Sequence, residues 1–500
     1  MIFNLKKGYS MKKPLSYRQK YLILAIIPVY FMIVGLFMQP LPEIFSGLIR
    51  IIVEPDFLIT DYFVIGGIGA SFLNAGFITL LLLAVLYFLN MEVDGHTITS
   101  CCLIFGFSLF GKNVVNIWTI LFGVFLYARY HKTSIKNYLY IGLYGTSLSP
   151  IITQIMQIGH LSVIPKLFLC LFVGIGIGFV LPPLSTHVHY AHKGYSLYNV
   201  GFASGIIATV VISLFKSFGI TTTSRLIWHT GNNLEFALIL CILFLSMIVF
   251  ALLRQGKEIF AAYKRILKCT GISGTDYLQQ EGEYAVMFNM GINGMFAVLF
   301  VLLVGGDLNG PTIGGIFTIV GFSSTGKHLR NIAPIMFGVY IASLTKNWSI
   351  NEPSPMLALL FSTTLAPVAG EFGVFVGLLA GFLHSSVALN VGTVYSGMNL
   401  YNNGFAGGIV AIFMVPVIKS IRDRRARAKG RFPLNLFVFP ILMHLIKFRY
   451  IKDQCYQHDH HFQGNQDIGC RHRNLRPEYQ KNQKDKQGCR ADFSKPFCTI

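Results

Sequence analysis

Two stretches of this chain share one pattern: residues 106–112 read Gly-Phe-Ser-Leu-Phe-Gly-Lys, and residues 321–327 read Gly-Phe-Ser-Ser-Thr-Gly-Lys. They belong to a longer match, because residues 74–135 align with residues 289–350 without a gap. The match resumes downstream, where residues 197–205 and 400–408 both begin Leu-Tyr-Asn. A duplicated unit in an apolar chain is typical of transporter and channel folds.

The composition is that of a membrane protein. Hydrophobic residues make up 53% of the 500 residues, charged residues make up 12%, and the mean hydropathy is +0.57. A chain this apolar is predicted to be polytopic and surrounded by lipid. The net charge of +20 would suggest nucleic acid in a soluble protein. Here the basic residues gather before the first apolar run, in the central loop and after residue 420, which marks the cytoplasmic side and predicts no nucleic-acid partner.

The apolar segments predict an all-α integral membrane protein with about 14 transmembrane helices, built from two inverted six-span repeats with short or broken helices. From a cytoplasmic N-terminus, alternation places the strong basic clusters inside. One extra span separates the repeats, so equivalent spans run in opposite directions. The candidate spans are residues 21–38, 62–89, 97–110, 114–128, 138–157, 166–183, 200–218, 234–254, 284–305, 312–325, 331–346, 355–369, 373–389 and 404–420.

The two shortest segments, residues 97–110 and 312–325, test this topology. As helices they reach only about 21 Å, against a hydrocarbon core of about 30 Å. If both were re-entrant, each repeat would have five spans and the two repeats would run parallel. That alternative would place Arg129, Lys132 and Lys136 outside, so we expect short or broken spans instead.

The organisation expected from these segments has seven parts. They are residues 1–20, a basic cytoplasmic N-terminus; 21–61, the first span and an extracellular loop; 62–218, the first membrane repeat; 219–283, a linking span and cytoplasmic loop; 284–420, the second membrane repeat; 421–447, a basic loop and interfacial segment; and 448–500, a polar tail expected to be disordered.

Paired asparagines are the first candidate site residues. An unpaired amide in an apolar segment is costly and must find a partner, which is either a neighbouring helix or a polar pathway between the repeats. The recurrence of such residues in both halves favours a pathway. We predict a substrate-binding role for six asparagines, namely Asn74, Asn289, Asn116, Asn331, Asn199 and Asn402.

Lys112 and Lys327 complete the predicted substrate site. Their stretches match the start of a phosphate-binding loop, but Asn113 and His328 stand where the Ser or Thr for magnesium is needed, so nucleotide binding is not expected. A lysine at the start of a helix adds to its partial positive charge and favours an anionic solute. The alternative is that both lysines reach to the membrane interface.

Other polar clusters carry less weight. His187, His189 and His192 invite a metal interpretation, but no carboxylate or cysteine accompanies them, so we predict neither a metal nor a cofactor. No intramembrane carboxylate points to proton or sodium coupling, which is left open. The nine cysteines imply no disulfide framework.

Four runs carry a family resemblance, namely Asn309-Gly310-Pro311-Thr312, Gly321-Phe322, Gly326-Lys327-His328 with Asn331, and Leu400-Tyr401-Asn402-x-Gly404-Phe405. By these runs the chain resembles a bacterial family of multi-spanning membrane proteins catalogued as domain of unknown function 1576, which has no assigned activity. The resemblance covers roughly residues 20–430 and implies a bacterial plasma membrane, but no substrate.

Three function classes remain open from the sequence. The first is a transporter or channel for a small polar or anionic solute, with the site between the repeats, and it needs similar chemistry in both halves. The second is a membrane-embedded enzyme, which needs a one-sided catalytic cluster. The third is a sensor or assembly protein whose loop and tail bind a partner. The paired residues favour the first class, and we therefore expect no enzyme activity. A transporter or channel of this kind is also compatible with a homo-oligomer.

Overall fold

The computed structural model of the protein describes residues 15–159, 161–220 and 225–427, with side chains to residue 424. The predicted segment after residue 427 and the predicted tail from residue 448 lie outside these residues. Within them the chain is helical apart from two short strands. The N-terminal part comprises α1 (Tyr17–Met38), α2 (Leu41–Val53) and β1 (Ile59–Thr60).

The first repeat in the structure contains eight helices. A 3-10 turn, Thr146–Leu148, joins α7 to α8 and breaks that helical segment near its middle. The helices are α3 (Tyr62–Ile65), α4 (Ile68–Phe88), α5 (Gly95–Phe107), α6 (Trp118–Tyr130), α7 (Leu139–Gly145), α8 (Ser149–Met156), α9 (Val163–His192) and α10 (Asn199–Ser217).

A linking segment follows, and then the same order of elements returns. The linker contains β2 (Leu226–Ile227), which pairs in parallel with β1, then α11 (Asn233–Gln255) and α12 (Glu258–Ile266). The 3-10 turn Ser362–Leu365 again joins the fifth and sixth helices of the unit. The second repeat comprises α13 (Tyr277–Glu281), α14 (Glu283–Leu303), α15 (Gly310–Phe322), α16 (Leu329–Ser343), α17 (Pro353–Phe361), α18 (Ala366–Phe372), α19 (Val374–Val391) and α20 (Asn402–Arg427).

Nine apolar helical segments in the described residues are long enough to cross a membrane. Their outer faces expose large apolar side chains such as Phe37 (88%), Phe172 (79%) and Phe88 (79%), which suits lipid rather than water. The all-helical, multi-pass prediction is therefore confirmed. The count of about 14 spans is not confirmed, because α5 and α15 have 13 residues each and reach only about 20 Å.

The short helices α5 and α15 lie side by side at the centre of the protein. Their contacts pair Gly95 with Ser324 (Oγ to O, 2.8 Å) and Thr99 with Gly321 (Oγ1 to O, 3.1 Å). Farther along, the ring centroids of Phe105 and Phe317 are 4.8 Å apart. Residue numbers rise along one helix as they fall along the other, so the two helices pack antiparallel. Their depth in the protein, not lipid contact, accounts for their apolar sequence.

Helices α10 and α20 form the second contact between equivalent elements. They approach at Gly201 and Gly404, where a Cβ atom on Gly404 would lie 2.9 Å from the Cα of Gly201. Beyond this point the phenyl ring of Phe405 fills the space at Gly205, and that of Phe202 fills the space at Gly408. Only glycine permits so close a crossing of two helix backbones.

Candidate functional site

Each short helix ends in a break of the chain that carries a lysine. Lys112 follows α5 and Lys327 follows α15, and both side chains are 0% exposed. Neither lysine therefore reaches the membrane interface, and that alternative is wrong. The breaks begin at the Gly-Phe-Ser sequences that first marked the repeat, and they place a cationic side chain deep in the protein.

Asn74 and Asn289 hold these breaks in shape. The Asn74 Nδ2 amide donates to the carbonyl oxygens of Ser108 (2.7 Å) and Lys112 (2.9 Å). The Asn289 amide makes the equivalent bonds in the second repeat, to Ser323 (2.7 Å) and Lys327 (2.8 Å). Carbonyl groups freed at the end of a helix need such donors when they are buried. Both amides thus donate their hydrogen bonds to backbone carbonyl groups of the break that carries the lysine.

Asn116 and Asn331 fix the far end of each break. The Asn116 amide donates to Gly111 O (3.2 Å), and the Asn331 amide donates to Gly326 O (2.9 Å). The oxygen of each amide accepts a backbone N–H three residues earlier, at 3.0 Å and 2.9 Å respectively. A substrate-binding role for these two asparagines remains a prediction, whereas the structure shows their hydrogen bonds to the backbone of the breaks.

The two lysines meet different surroundings. The Lys327 Nζ atom donates to the hydroxyl of Tyr198, from the first repeat, and to Thr363 Oγ1 at 2.8 Å. It also lies over the rings of Tyr198 (4.6 Å) and Phe322 (5.1 Å). Lys112 Nζ lies over the Phe107 ring at 5.2 Å but has no hydrogen-bond partner among the described residues. The lysine ammonium group is thus hydrogen-bonded in the second repeat, and its equivalent in the first repeat has no hydrogen-bond partner among the described residues.

Asn199 and Asn402 each bond within their own repeat. The Asn199 amide donates to Ser185 O at 2.9 Å, and the Asn402 amide donates to Ala388 O at 2.8 Å. These bonds tie the start of α10 to α9 and the start of α20 to α19. Asn199 also lines a cavity, whereas Asn402 is 4% exposed and accepts a bond from the Tyr395 hydroxyl. Their contact with a solute remains a prediction.

A cavity of about 420 Å³ lies where the two repeats meet. Its inner end is formed by Tyr198 and Tyr401, whose ring centroids are 5.9 Å apart, together with Phe322. Hydroxyl and imidazole groups line the wall toward the loops. The polar lining residues are His96, Asn137, Tyr140, Tyr144, Ser185, Thr186, His189, Tyr190, Asn199, Ser273 and Thr325.

The histidine trio does not converge. His192 is buried and its Nε2 atom is 2.8 Å from Asn199 Oδ1, His189 lines the cavity, and His187 is exposed. Within residues 15–424, less the two gaps, no group of three or more His, Cys, Asp or Glu side chains is placed to hold a metal ion. His192 acts instead as a partner for the asparagine that begins α10.

Two buried carboxyl groups, Asp56 and Asp61, lie in the segment 21–61, whose end the sequence predicted to be an extracellular loop. Both are 0% exposed, and burial raises the pKa of each carboxyl to about 7. Asp56 accepts from the Tyr62 hydroxyl (2.6 Å) and from the Asn116 amide (3.1 Å). A usable signal existed, because Asp61-Tyr62 recurs as Asp276-Tyr277 at the spacing of the repeat.

The chain matches the family model described as "Protein of unknown function (DUF1576)" over residues 41–217 and 255–420. The protein belongs to this family. The two matched segments hold α2 to α10 and α12 to α20, so that α11 lies in the interval between them. No curated protein and no solved structure matches the chain. Membership of this family therefore brings no substrate with it.

Proposed function

We propose that the protein is a membrane transporter or channel for a small polar or anionic solute, with its site at the interface of two inverted repeats. The cavity between the repeats carries this proposal. It is bounded by Tyr198 from one repeat and Tyr401 from the other, and each tyrosine precedes a helix that begins inside the protein. Solute sites of many transporters lie near the midplane where two repeats meet and where helices are broken.

The antiparallel packing of α5 and α15 supports the inverted arrangement. Equivalent helices that run in opposite directions at a shared contact are expected when the repeats are related by a two-fold axis in the membrane plane. The basic residues set the orientation in this proposal. Lys132 and Lys136 lie in the loop beside Asn137, which lines the cavity, and cytoplasmic loops are rich in lysine and arginine. The N-terminus and the mouth of the cavity would then face the cytoplasm of a bacterial plasma membrane.

The positions that line the cavity on one side of the protein are occupied by buried apolar side chains at the equivalent positions on the other side. The cavity-lining residues Tyr140 and Tyr144 of α7 correspond to Leu357 and Phe361 of α17, which are 3% and 2% exposed. Similarly, Thr325 on the cavity wall corresponds to Phe110, which is 0% exposed. A carrier that is open on one side and sealed on the other has this asymmetry between equivalent positions. It supports a solute path that opens from one side at a time.

Labelling of cysteine substitutions tests the inverted topology. Lys132 and Asn347 are equivalent loop residues, and both are exposed. Lys132→Cys and Asn347→Cys should react with a membrane-impermeant maleimide from opposite sides of sealed vesicles, above the background of the unsubstituted protein. Reaction of both from the same side would contradict the inverted arrangement.

Solute flux into liposomes tests the function itself. The purified protein is reconstituted and challenged with a panel of small anions, amides, amino acids and nucleosides. Thr325→Phe places in the cavity the residue found at the equivalent position of the other repeat, so it should abolish the flux while the protein stays folded. Phe172→Leu, on an exposed face of α9, is the matched control and should retain flux. If no solute crosses faster than in empty liposomes, the proposal fails.

A further inference from the structure

We propose that Lys112 and Tyr401 bind one small monovalent anion at the inner end of the cavity. This inference rests on the proposed function, since the anion would enter through the same cavity. The proposed function allows a polar or an anionic solute, and this site would select the anion. Lys112 supplies the charge, and Tyr401, from the other repeat, supplies a hydroxyl donor.

The comparison between repeats carries the inference. In the second repeat the ammonium group of Lys327 bonds to two hydroxyl groups, from Tyr198 and Thr363. The corresponding groups are Lys112 Nζ of the first repeat and the Tyr401 hydroxyl of the second, and both are buried and lack a partner among the described residues. The lysine and tyrosine are therefore hydrogen-bonded to each other at one of the two equivalent places, and at the other the same residue types have no hydrogen-bond partner among the described residues.

A neighbouring serine shows the same difference. Ser323 Oγ donates to Ile319 O (2.8 Å) and accepts from the Asn293 amide (2.7 Å). Its equivalent Ser108, in the break that carries Lys112, has a buried hydroxyl without a partner in the described part of the chain. Buried donors without partners cost free energy, so Lys112 and Tyr401 together suit a ligand that accepts hydrogen bonds.

Both main groups lie against one aromatic ring. Lys112 Nζ is 5.2 Å from the Phe107 ring centroid, and the Tyr401 ring centroid is 4.5 Å from the same point. Tyr401 also lines the cavity between the repeats. A ligand at the inner end of the cavity therefore lies beside Tyr401, which packs on the same phenyl ring as the Lys112 ammonium group.

The charge of the site selects an anion. The four ion pairs in the described residues are Lys20–Glu283, Arg225–Glu54, Arg265–Glu281 and Arg422–Glu371. None of them involves Lys112, so no carboxylate neutralises it. An ammonium group has three donors and no acceptor, and a neutral amide would leave its charge uncompensated in a buried place. One negative charge balances one ammonium.

Thermal unfolding of the purified full-length protein tests the site. The midpoint is measured against rising sodium chloride, nitrate or formate, with ionic strength held constant by sodium gluconate, whose anion is much larger than these three. A ligand that binds the folded state raises its apparent stability with concentration. At least one small anion should raise the midpoint in a saturable manner.

Three variants separate the site from general salt effects. Lys112→Met should abolish the anion-dependent rise, and Tyr401→Phe, which removes a single hydroxyl, should weaken apparent binding by roughly tenfold. Lys346→Met is the matched control: this lysine lies at the end of another apolar segment, and its Nζ atom donates to Phe382 O (2.8 Å) and to two serine hydroxyls. It should lower the midpoint but keep the anion response.

The outcomes distinguish this inference from the proposed function. If no small anion raises the midpoint, or if the rise survives in both Lys112→Met and Tyr401→Phe, the anion site is refuted. Should a neutral solute still stabilise the protein and cross liposomes in a manner blocked by Thr325→Phe, the transport proposal stands without it. Failure of every solute to bind or cross would overturn both.

Discussion

Asp61 and Asp276 occupy equivalent positions, and each one contacts the start of the short helix of the other repeat. The Asp276 Oδ2 atom accepts from Gly95 N at 3.0 Å, at the beginning of α5. The Asp61 carboxyl group is hydrogen-bonded by the backbone of Gly310, at the beginning of α15. The first N–H groups of a helix have no partner inside the helix, and a carboxylate there also suits the helix dipole. The two repeats therefore complete each other's central helices.

Loss of this exchanged cap should destabilise the protein. We expect Asp276→Ala to lower the free energy of unfolding by about 1 to 2 kcal/mol, because the side chain also accepts from Leu278 N (2.8 Å) at the start of α13. Asp276→Asn should lose less, since its amide oxygen still accepts. Glu258→Ala, in the first turn of α12 without a capping bond, is the control and should change little. Chemical unfolding in detergent measures the three values, and equal losses for Glu258→Ala and Asp276→Ala would argue against the cap.

The asparagines that hold the breaks should make similar contributions to the free energy of unfolding. Asn74→Ala and Asn289→Ala each remove two buried hydrogen bonds to carbonyl oxygens, of nearly equal length, so each should cost roughly 2 to 4 kcal/mol. Asn289→Ala also removes a longer bond, which Asn289 Oδ1 accepts from Asn293 Nδ2 at 3.4 Å. Asn137→Ala, at an exposed loop position, serves as the control. A loss at Asn74 close to that at Asn137 would show that the break after α5 does not depend on its amide. The midpoint of thermal unfolding gives the ranking.

The buried carboxyl group of Asp56 should make stability depend on pH. Its pKa is about 7 in the folded protein against 3.8 for the free group, so between these values the folded state binds more protons than the unfolded state. Stability from this group is therefore fully present below about pH 4, declines as pH rises toward 7, and stays low above it. The raised pKa follows from burial, opposed by bonds from Tyr62, Thr153 and Asn116.

Asp56→Asn isolates this effect. Its unfolding midpoint should fall less than that of the unsubstituted protein between pH 5 and pH 8, since the group no longer titrates. Glu43→Gln, at an exposed position in the first turn of α2, is the control and should follow the unsubstituted protein. Identical pH curves for all three proteins would contradict a neutral Asp56 at pH 5.

The sequence predicted the apolar, all-helical segments, because these leave a local pattern, and it also pointed to paired polar side chains. The fate of those side chains depended on tertiary contacts that no local pattern contains. Lys112 and Lys327 occupy equivalent positions, each after a glycine, yet only Lys327 meets two hydroxyl partners. Asp56 appeared to belong to an outer loop because its burial depends on contacts with Tyr62, Asn116 and Thr153, which are distant from each other in sequence. Membrane depth could not be read for α5 and α15 either, since helices buried in protein and helices facing lipid are both apolar.

The crossing of α10 and α20 gives the last prediction. A Cβ atom on Gly201 would lie 2.9 Å from Tyr401 Cβ and 3.1 Å from Gly404 Cα, so Gly201→Ala must push the helices apart beside the two cavity tyrosines. We expect a loss of about 1 to 3 kcal/mol in stability from this overpacking, and a fall in solute flux because Tyr198 and Tyr401 separate. Gly176→Ala in α9 is the control, because a Cβ atom there meets nothing within 4 Å. That substitution should be neutral or stabilising by up to about 1 kcal/mol, since alanine is the better helix former. Paired measurement of unfolding and flux decides the matter: if Gly201→Ala behaves like Gly176→Ala in both, then the close approach of these two helices neither stabilises the fold nor shapes the path of the solute.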